Sequence, residues 1–109
     1  MPNTMFPIFL KMDQIQTLVV GGGNVALEKA SAILCNSPEA NLTLVAPFFR
    51  PETIEYLQDF PQVKLHERPF QPSDLVGLDL IICATDSPAL HEEIKALAAA
   101  QHLLCNVAD

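Results

Sequence analysis

Alternating strand-like and helix-like patterns predict an α/β chain of a single domain, with a doubly wound parallel sheet sandwiched in three layers. Three observations carry that expectation. The first is alternation itself: short apolar runs at 17–20, 42–46, 63–65, 80–84 and 103–107 are separated by helix-patterned or turn-rich stretches. The second is that these runs are nearly continuous rather than apolar on every other residue, as strands covered on both faces are. The third is a cluster of three of the chain's four glycines, Gly21, Gly22 and Gly23, placed directly after the first apolar run. Right-handed crossovers between parallel strands then leave a Rossmann-type order as the simplest topology.

Each element has its own signal. After an extended lead-in, Ile8-Phe9-Leu10, the strand Thr17 to Val20 runs into the glycines, and a helix is expected from Asn24 to Asn36 with Ala26, Ala30, Ile33 and Leu34 on its apolar face. Asn36-Ser37-Pro38 stops it. Leu42 to Ala46 reads as a buried second strand, and Pro47 and Pro51 turn the chain into a short helix carrying Ile54 and Leu57 that Pro61 ends. A brief third strand, Val63 to Leu65, precedes a loop from Pro69 to Asp74. Leu80 to Ala84 forms the fourth strand. The last helix starts near Pro88 under a cap from Asp86 or Ser87 and carries Leu90, Ile94, Leu97 and Ala98 on one stripe to about Gln101. Leu103 to Val107 is the fifth strand.

Composition narrows the class of partner. A chain of 109 residues with half its residues apolar suits one globular domain. Thirteen acidic against six basic residues give a formal charge of −7, which disfavours nucleic acid or an anionic membrane as a partner. The three cysteines, Cys35, Cys83 and Cys105, lack metal-site spacing and a disulfide framework, and His66 and His102 have no ligand partner nearby, so no metal is expected. Without a basic leader or a long apolar run, the chain is expected to be soluble and cytoplasmic.

The glycines specify chemistry. Gly21-x-Gly23-x-x-Ala26 fits the G-x-G-x-x-G/A turn of dinucleotide-binding domains, in which backbone N–H groups at a helix N-terminus hold a diphosphate without help from lysine or arginine. That suits an acidic protein. The choice between NAD and NADP stays open at this level: the second strand ends Val45-Ala46-Pro47 with no carboxylate for a ribose 2′-hydroxyl, and Arg50, otherwise a solvated surface charge, stands three residues on. The ends of the fourth and fifth strands, Ala84-Thr85-Asp86 and Asn106-Val107-Ala108-Asp109, face the same crevice in an open parallel sheet. Thr85 is a candidate cofactor contact or turn hydroxyl, Asp86 a helix cap, and Asp109 a carboxylate able to move a proton.

Several separated motifs converge on one family. Phe6-Pro7-Ile8-Phe9-Leu10-Lys11, Leu18 to Ala26 with Lys29, Val45-Ala46-Pro47, Arg68-Pro69-Phe70, Ala84-Thr85-Asp86 and Cys105 to Asp109 together resemble the NAD-binding domain of siroheme synthases, the precorrin-2 dehydrogenases that in some members are also ferrochelatases. The resemblance covers nearly all of residues 1–109. It implies an NAD-dependent oxidoreductase that converts precorrin-2, a tetrapyrrole, to sirohydrochlorin in siroheme biosynthesis. It assigns the catalytic role to Asp109 and cofactor contacts to Gly23, Asn24, Val25, Pro47 and Phe48, beside Gly21, Gly22, Ala46 and Thr85 from the residues themselves. It also implies a homodimer for the complete protein, with dimerisation and helical regions additional to residues 1–109. His91 departs from the family, which often has asparagine there, and reads as a helix-surface histidine. A nucleotide-sensing regulatory module, which binds NAD without catalysis, is the alternative; such modules usually carry the acidic residue that Ala46-Pro47 lacks.

Overall fold

The computed structural model describes residues 4–108. Five parallel strands, β1 (Gln16–Val20), β2 (Asn41–Ala46), β3 (Lys64–Glu67), β4 (Leu80–Cys83) and β5 (Leu104–Val107), lie in the order β3-β2-β1-β4-β5. The chain therefore winds outward from β1 in one direction, returns to β4, and winds outward in the other. Three helices make the connections: α1 (Asn24–Asn36), α2 (Pro51–Leu57) and α3 (Pro88–Ala100), with 3₁₀ turns at Met12–Gln14 and Pro72–Leu75. This is the α/β three-layer, doubly wound arrangement expected from the alternation.

Strand residues divide by parity between two cores. Val19, Leu42, Leu44 and Ile82 point to the face covered by α1 and α2, while Leu18, Val20, Val45, Ile81 and Cys83 point to the face covered by α3. Small residues set how closely α1 approaches the sheet: Ala26 and Ala30 are fully buried beside Leu34. Ile94 and Ala98 of α3 are equally buried on the opposite face, with Leu90 and Leu97 packed at the margin. The double cover explains why β1, β2 and β4 read as near-continuous apolar runs.

Helix ends follow local chemistry. Ser87, rather than Asp86, caps α3: its Oγ accepts the Leu90 N–H at 3.3 Å, and Pro88 occupies the first turn where a missing N–H costs nothing. At the other end His102 takes φ +56°, the left-handed conformation that reverses the chain into β5, while the Leu103 N–H donates to the Ala98 carbonyl at 2.9 Å. His102 thus has a backbone task. Of the two expected caps, Asp86 and Ser87, the structure takes Ser87, because it is the residue directly before the helix start at Pro88.

Three further elements differ from expectation. β3 runs Lys64–Glu67 instead of 63–65, because its position is set by pairing with β2, Ala46 opposite Glu67, and not by its own weak pattern. The loop from Pro69 to Asp74 closes into the Pro72–Leu75 turn, in which Asp74 accepts the Gln71 N–H at 2.8 Å. β5 is not covered on both faces: Leu104, Cys105 and Asn106 are exposed at the sheet edge, while Leu103 and Val107 pack toward α3. The lead-in at Ile8, Phe9 and Leu10 is exposed and forms no strand.

Candidate functional site

The carboxyl ends of β1, β2 and β4 open into one crevice of about 780 Å³, a volume suited to a cofactor-sized ligand. It lies where strand order reverses between β1 and β4, the position at which open α/β sheets bind ligands. Gly21, Gly22, Gly23, Asn24 and Val25 form its floor. Ala46, Pro47 and Phe48 form one wall, and Thr85 stands on the other, so the structure brings together every described residue that the sequence singled out for the cofactor. Asp109 lies outside the described residues.

The three glycines do three different things. Gly21 has φ +140°, and a Cβ there would stand 2.5 Å from the Ala84 carbonyl oxygen, so the turn passes tightly across the end of β4. Its N–H donates to the Val45 carbonyl at 2.9 Å, prolonging the sheet on the other side. Gly22, the variable position of the fingerprint, is the most confined: a Cβ would come within 2.1 Å of the Phe48 carbonyl oxygen. Its own carbonyl accepts the Arg50 N–H at 2.9 Å and the Thr53 hydroxyl at 3.3 Å. Gly23 is different again, with space around it and no side-chain cap over the start of α1. The first-turn N–H groups of α1 therefore meet the crevice at the positive end of the helix dipole.

Those features fit the diphosphate of a dinucleotide. A cradle that a methyl group would fill, an uncapped helix start and walls of Pro47, Phe48, Phe70 and Leu90 match an anionic centre flanked by flat, apolar-faced rings. Among the described residues no lysine or arginine lines the crevice, so anion binding rests on backbone dipoles.

Neighbouring elements hold the walls in place. Glu67, at the end of β3, turns its carboxylate to the Phe49 N–H at 3.4 Å and so steadies the loop after β2. Arg68 forms a two-pronged pair with Asp74, at 2.6 and 2.9 Å, which fixes the bend that carries Pro69 and Phe70 to the crevice. Hydrogen bonding from Arg68, against the opposing effect of burial, holds the Asp74 carboxyl below its ordinary value, with the Gln71 N–H adding to the effect. A lowered carboxyl stabilises the fold above the unfolded-state value near 3.8 and loses that contribution as pH falls through the folded-state value. Asp74→Asn is expected to cost about 1 kcal/mol at pH 7, discounted for the solvent around Arg68, and to flatten the loss of stability below about pH 4. Urea titrations of both proteins from pH 3 to 7 check it.

Two residues that sequence reasoning set aside belong to the site. His91 is not a free surface histidine: it lines the crevice, and its Nε2 pairs with the Thr85 carbonyl, tying the first turns of α3 to the end of β4. The Thr85 hydroxyl accepts the Ser87 N–H at 3.3 Å, so it is a turn hydroxyl as well as a crevice residue. Phe70, in the Arg68-Pro69-Phe70 motif, also lines the crevice; the sequence signal for it is its place just past the carboxyl end of β3. Cys83, by contrast, is inert; burial, with Cys105 beside it, pushes its thiol up to about 12 and keeps it neutral.

A parallel sheet in this order, with a glycine turn and an uncapped helix at its switch point, defines a dinucleotide-binding domain of the Rossmann type. The chain matches the family described as putative NAD(P)-binding over residues 8–109 and belongs to it. It is 41% identical over 104 residues to a siroheme synthase of Pseudoalteromonas atlantica, a match covering 95% of this chain and 22% of that protein. A siroheme synthase of Escherichia coli O157:H7 is 39% identical over 103 residues, covering 94% and 22% respectively. The precorrin-2 dehydrogenase of Bacillus subtilis is 30% identical over 105 residues, covering 96% of this chain and 63% of the relative. Among solved structures, the precorrin-2 dehydrogenase SirC superposes with a TM-score of 0.78 at 27% identity, over 95% of this chain and 49% of that one. The chain thus spans about a fifth of the siroheme synthases and under two thirds of the dehydrogenase. Among the described residues no helix is long and apolar enough to cross a membrane.

Proposed function

We propose that this chain is the NAD-binding part of a precorrin-2 dehydrogenase, an oxidoreductase that forms sirohydrochlorin in siroheme biosynthesis. The observation that carries the reading is the coincidence of a likeness to siroheme synthases along 95% of this chain with a crevice whose anion site is made of backbone alone. The relatives carry enzyme names, and the loop after β2 lacks the acidic residue usual in nucleotide-sensing modules, so the binding-only alternative is disfavoured.

The cofactor, when bound, supplies a nicotinamide ring that accepts hydride. The chain supplies position. N–H groups at Gly23, Asn24 and Val25 bind the diphosphate, with Gly21 and Gly22 bringing the backbone close enough. Ala46, Pro47 and Phe48 pack the adenosine end, Phe48 offering a ring that is 66% exposed. Thr85, held by His91 and Ser87, forms the wall near the reacting end. Asp109 takes or holds the substrate proton that accompanies hydride loss; it follows Ala108, which lines the crevice and whose N–H donates to the Cys83 carbonyl at 2.8 Å. The complete protein is a cytoplasmic homodimer in this reading, its further regions closing the tetrapyrrole cleft.

The test is anaerobic turnover. Precorrin-2 and NAD supplied to the longest natural form of the protein should yield sirohydrochlorin and NADH in equal amounts. Tight NAD binding with no product in that assay would sink the dehydrogenase reading and revive the sensing module.

A further inference from the structure

Arg50 stands beside the phosphate turn, and the structure does not leave it free. Its N–H donates to the Gly22 carbonyl, and its Cδ stands 4.0 Å from where a Cβ on Gly23 would be, so the stem of the side chain lies against the turn. Its Nη1 donates to the Asn24 Oδ1 at 2.7 Å, crossing from the loop after β2 to the first residue of α1. Its Nε faces the Glu52 Oε2 at 3.2 Å. The guanidinium is thereby oriented by an amide on one side and neutralised by a carboxylate on the other.

Its place in the fold matters because the end of β2 is where dinucleotide-binding sheets tell the two nicotinamide cofactors apart. An acidic residue there bonds a ribose 2′-hydroxyl, and an arginine accommodates a 2′-phosphate. Here the strand end is Ala46-Pro47, and Glu67, set opposite Ala46 by the sheet, directs its carboxylate at the Phe49 N–H. Arginine is present and the strand-end acid is absent; the carboxylate that meets the arginine is Glu52, in the first turn of α2.

We propose that the Arg50–Glu52 pair is the device by which this chain discriminates between NAD and NADP, Glu52 occupying the guanidinium edge and repelling the charge that a 2′-phosphate would bring. The inference rests on the NAD reading above and adds the residues that enforce it. Arg50 alone is a ready phosphate site, since guanidinium and phosphate pair through two parallel hydrogen bonds. Glu52 takes up the Nε edge of that site, and Asn24 ties Nη1 to the first residue of α1, beside the phosphate turn.

The measurement is the dissociation constant of each cofactor, by calorimetry, for the longest natural form of the protein. Wild type should prefer NAD. Glu52→Gln should tighten NADP about tenfold, change NAD by less than about twofold, and make the NADP affinity fall with added salt. The double variant Arg50→Ala with Glu52→Gln should lose the gain. An unchanged NAD-to-NADP ratio in Glu52→Gln, or a gain that survives removal of Arg50, would overturn this proposal and leave the NAD reading standing. A wild type that binds neither cofactor would overturn both.

Discussion

Under the proposed function, Asp109→Asn is expected to lower the rate of precorrin-2 oxidation by roughly 10²- to 10⁴-fold, the range over which a positioned proton acceptor contributes. Asparagine keeps the size and polarity of the side chain and removes only its ability to take a proton. NAD affinity should change by less than about threefold, because the diphosphate and adenosine sites are assigned to the glycine turn and the loop after β2. The two readouts separate the roles. Single-turnover kinetics give the first, and calorimetry with NAD alone gives the second; a variant that loses NAD binding in step with activity would show that the carboxylate serves the cofactor and not the substrate.

Gly22→Ala should be severely damaging, although Gly22 is the position the fingerprint leaves variable. A methyl group there meets the Phe48 carbonyl oxygen at 2.1 Å and the Phe49 Cα at 3.0 Å, and both are backbone atoms that cannot rotate away. The loop after β2 must lift, which breaks the bonds from Arg50 and Thr53 to the Gly22 carbonyl. The cost is about 3 kcal/mol, or roughly 15 °C in Tm, with loss of cofactor binding. Gly23→Ala is the informative contrast. It meets nothing nearer than the Arg50 Cδ at 4.0 Å, so the fold should survive with a few degrees lost while a methyl group intrudes on the diphosphate. Thermal melts with and without NAD distinguish the two, and equal stability of both variants would contradict the steric account.

How far these features could be read from the chain depends on the range of the interaction. α1 matches its expected span, Asn24–Asn36, because its start and stop lie within the chain's own neighbourhood: glycines before it, Asn36-Ser37-Pro38 after it. The strands of the sheet centre are equally legible, since double burial demands continuous apolar runs. β3 and β5 are less so. Each is an edge strand with one hydrogen-bonded neighbour and sparse burial, so pairing decides its bounds and its own pattern does not. The candidate cofactor residues were legible because strand order can be inferred from handedness and connection length, and strand order alone brings Gly21 and Thr85 to one crevice.

The sequence by itself determined the α/β class, the succession of elements and the turn at which a diphosphate can bind, because periodicity, capping and glycine content act over a few residues. Tertiary structure alone decided that Gly22 is the tightest point of that turn, that His91 faces the crevice and bonds Thr85, that Phe70 joins its wall, and that Arg50 is held between Asn24 and Glu52. Except for the local tie of Arg50 to Glu52, these facts depend on which strand ends and turns the folded sheet sets beside one another. Gly22 and Phe48 lie 26 positions apart in the chain. No local pattern records that their backbones will meet, and only close packing of the folded sheet makes one added carbon atom there intolerable.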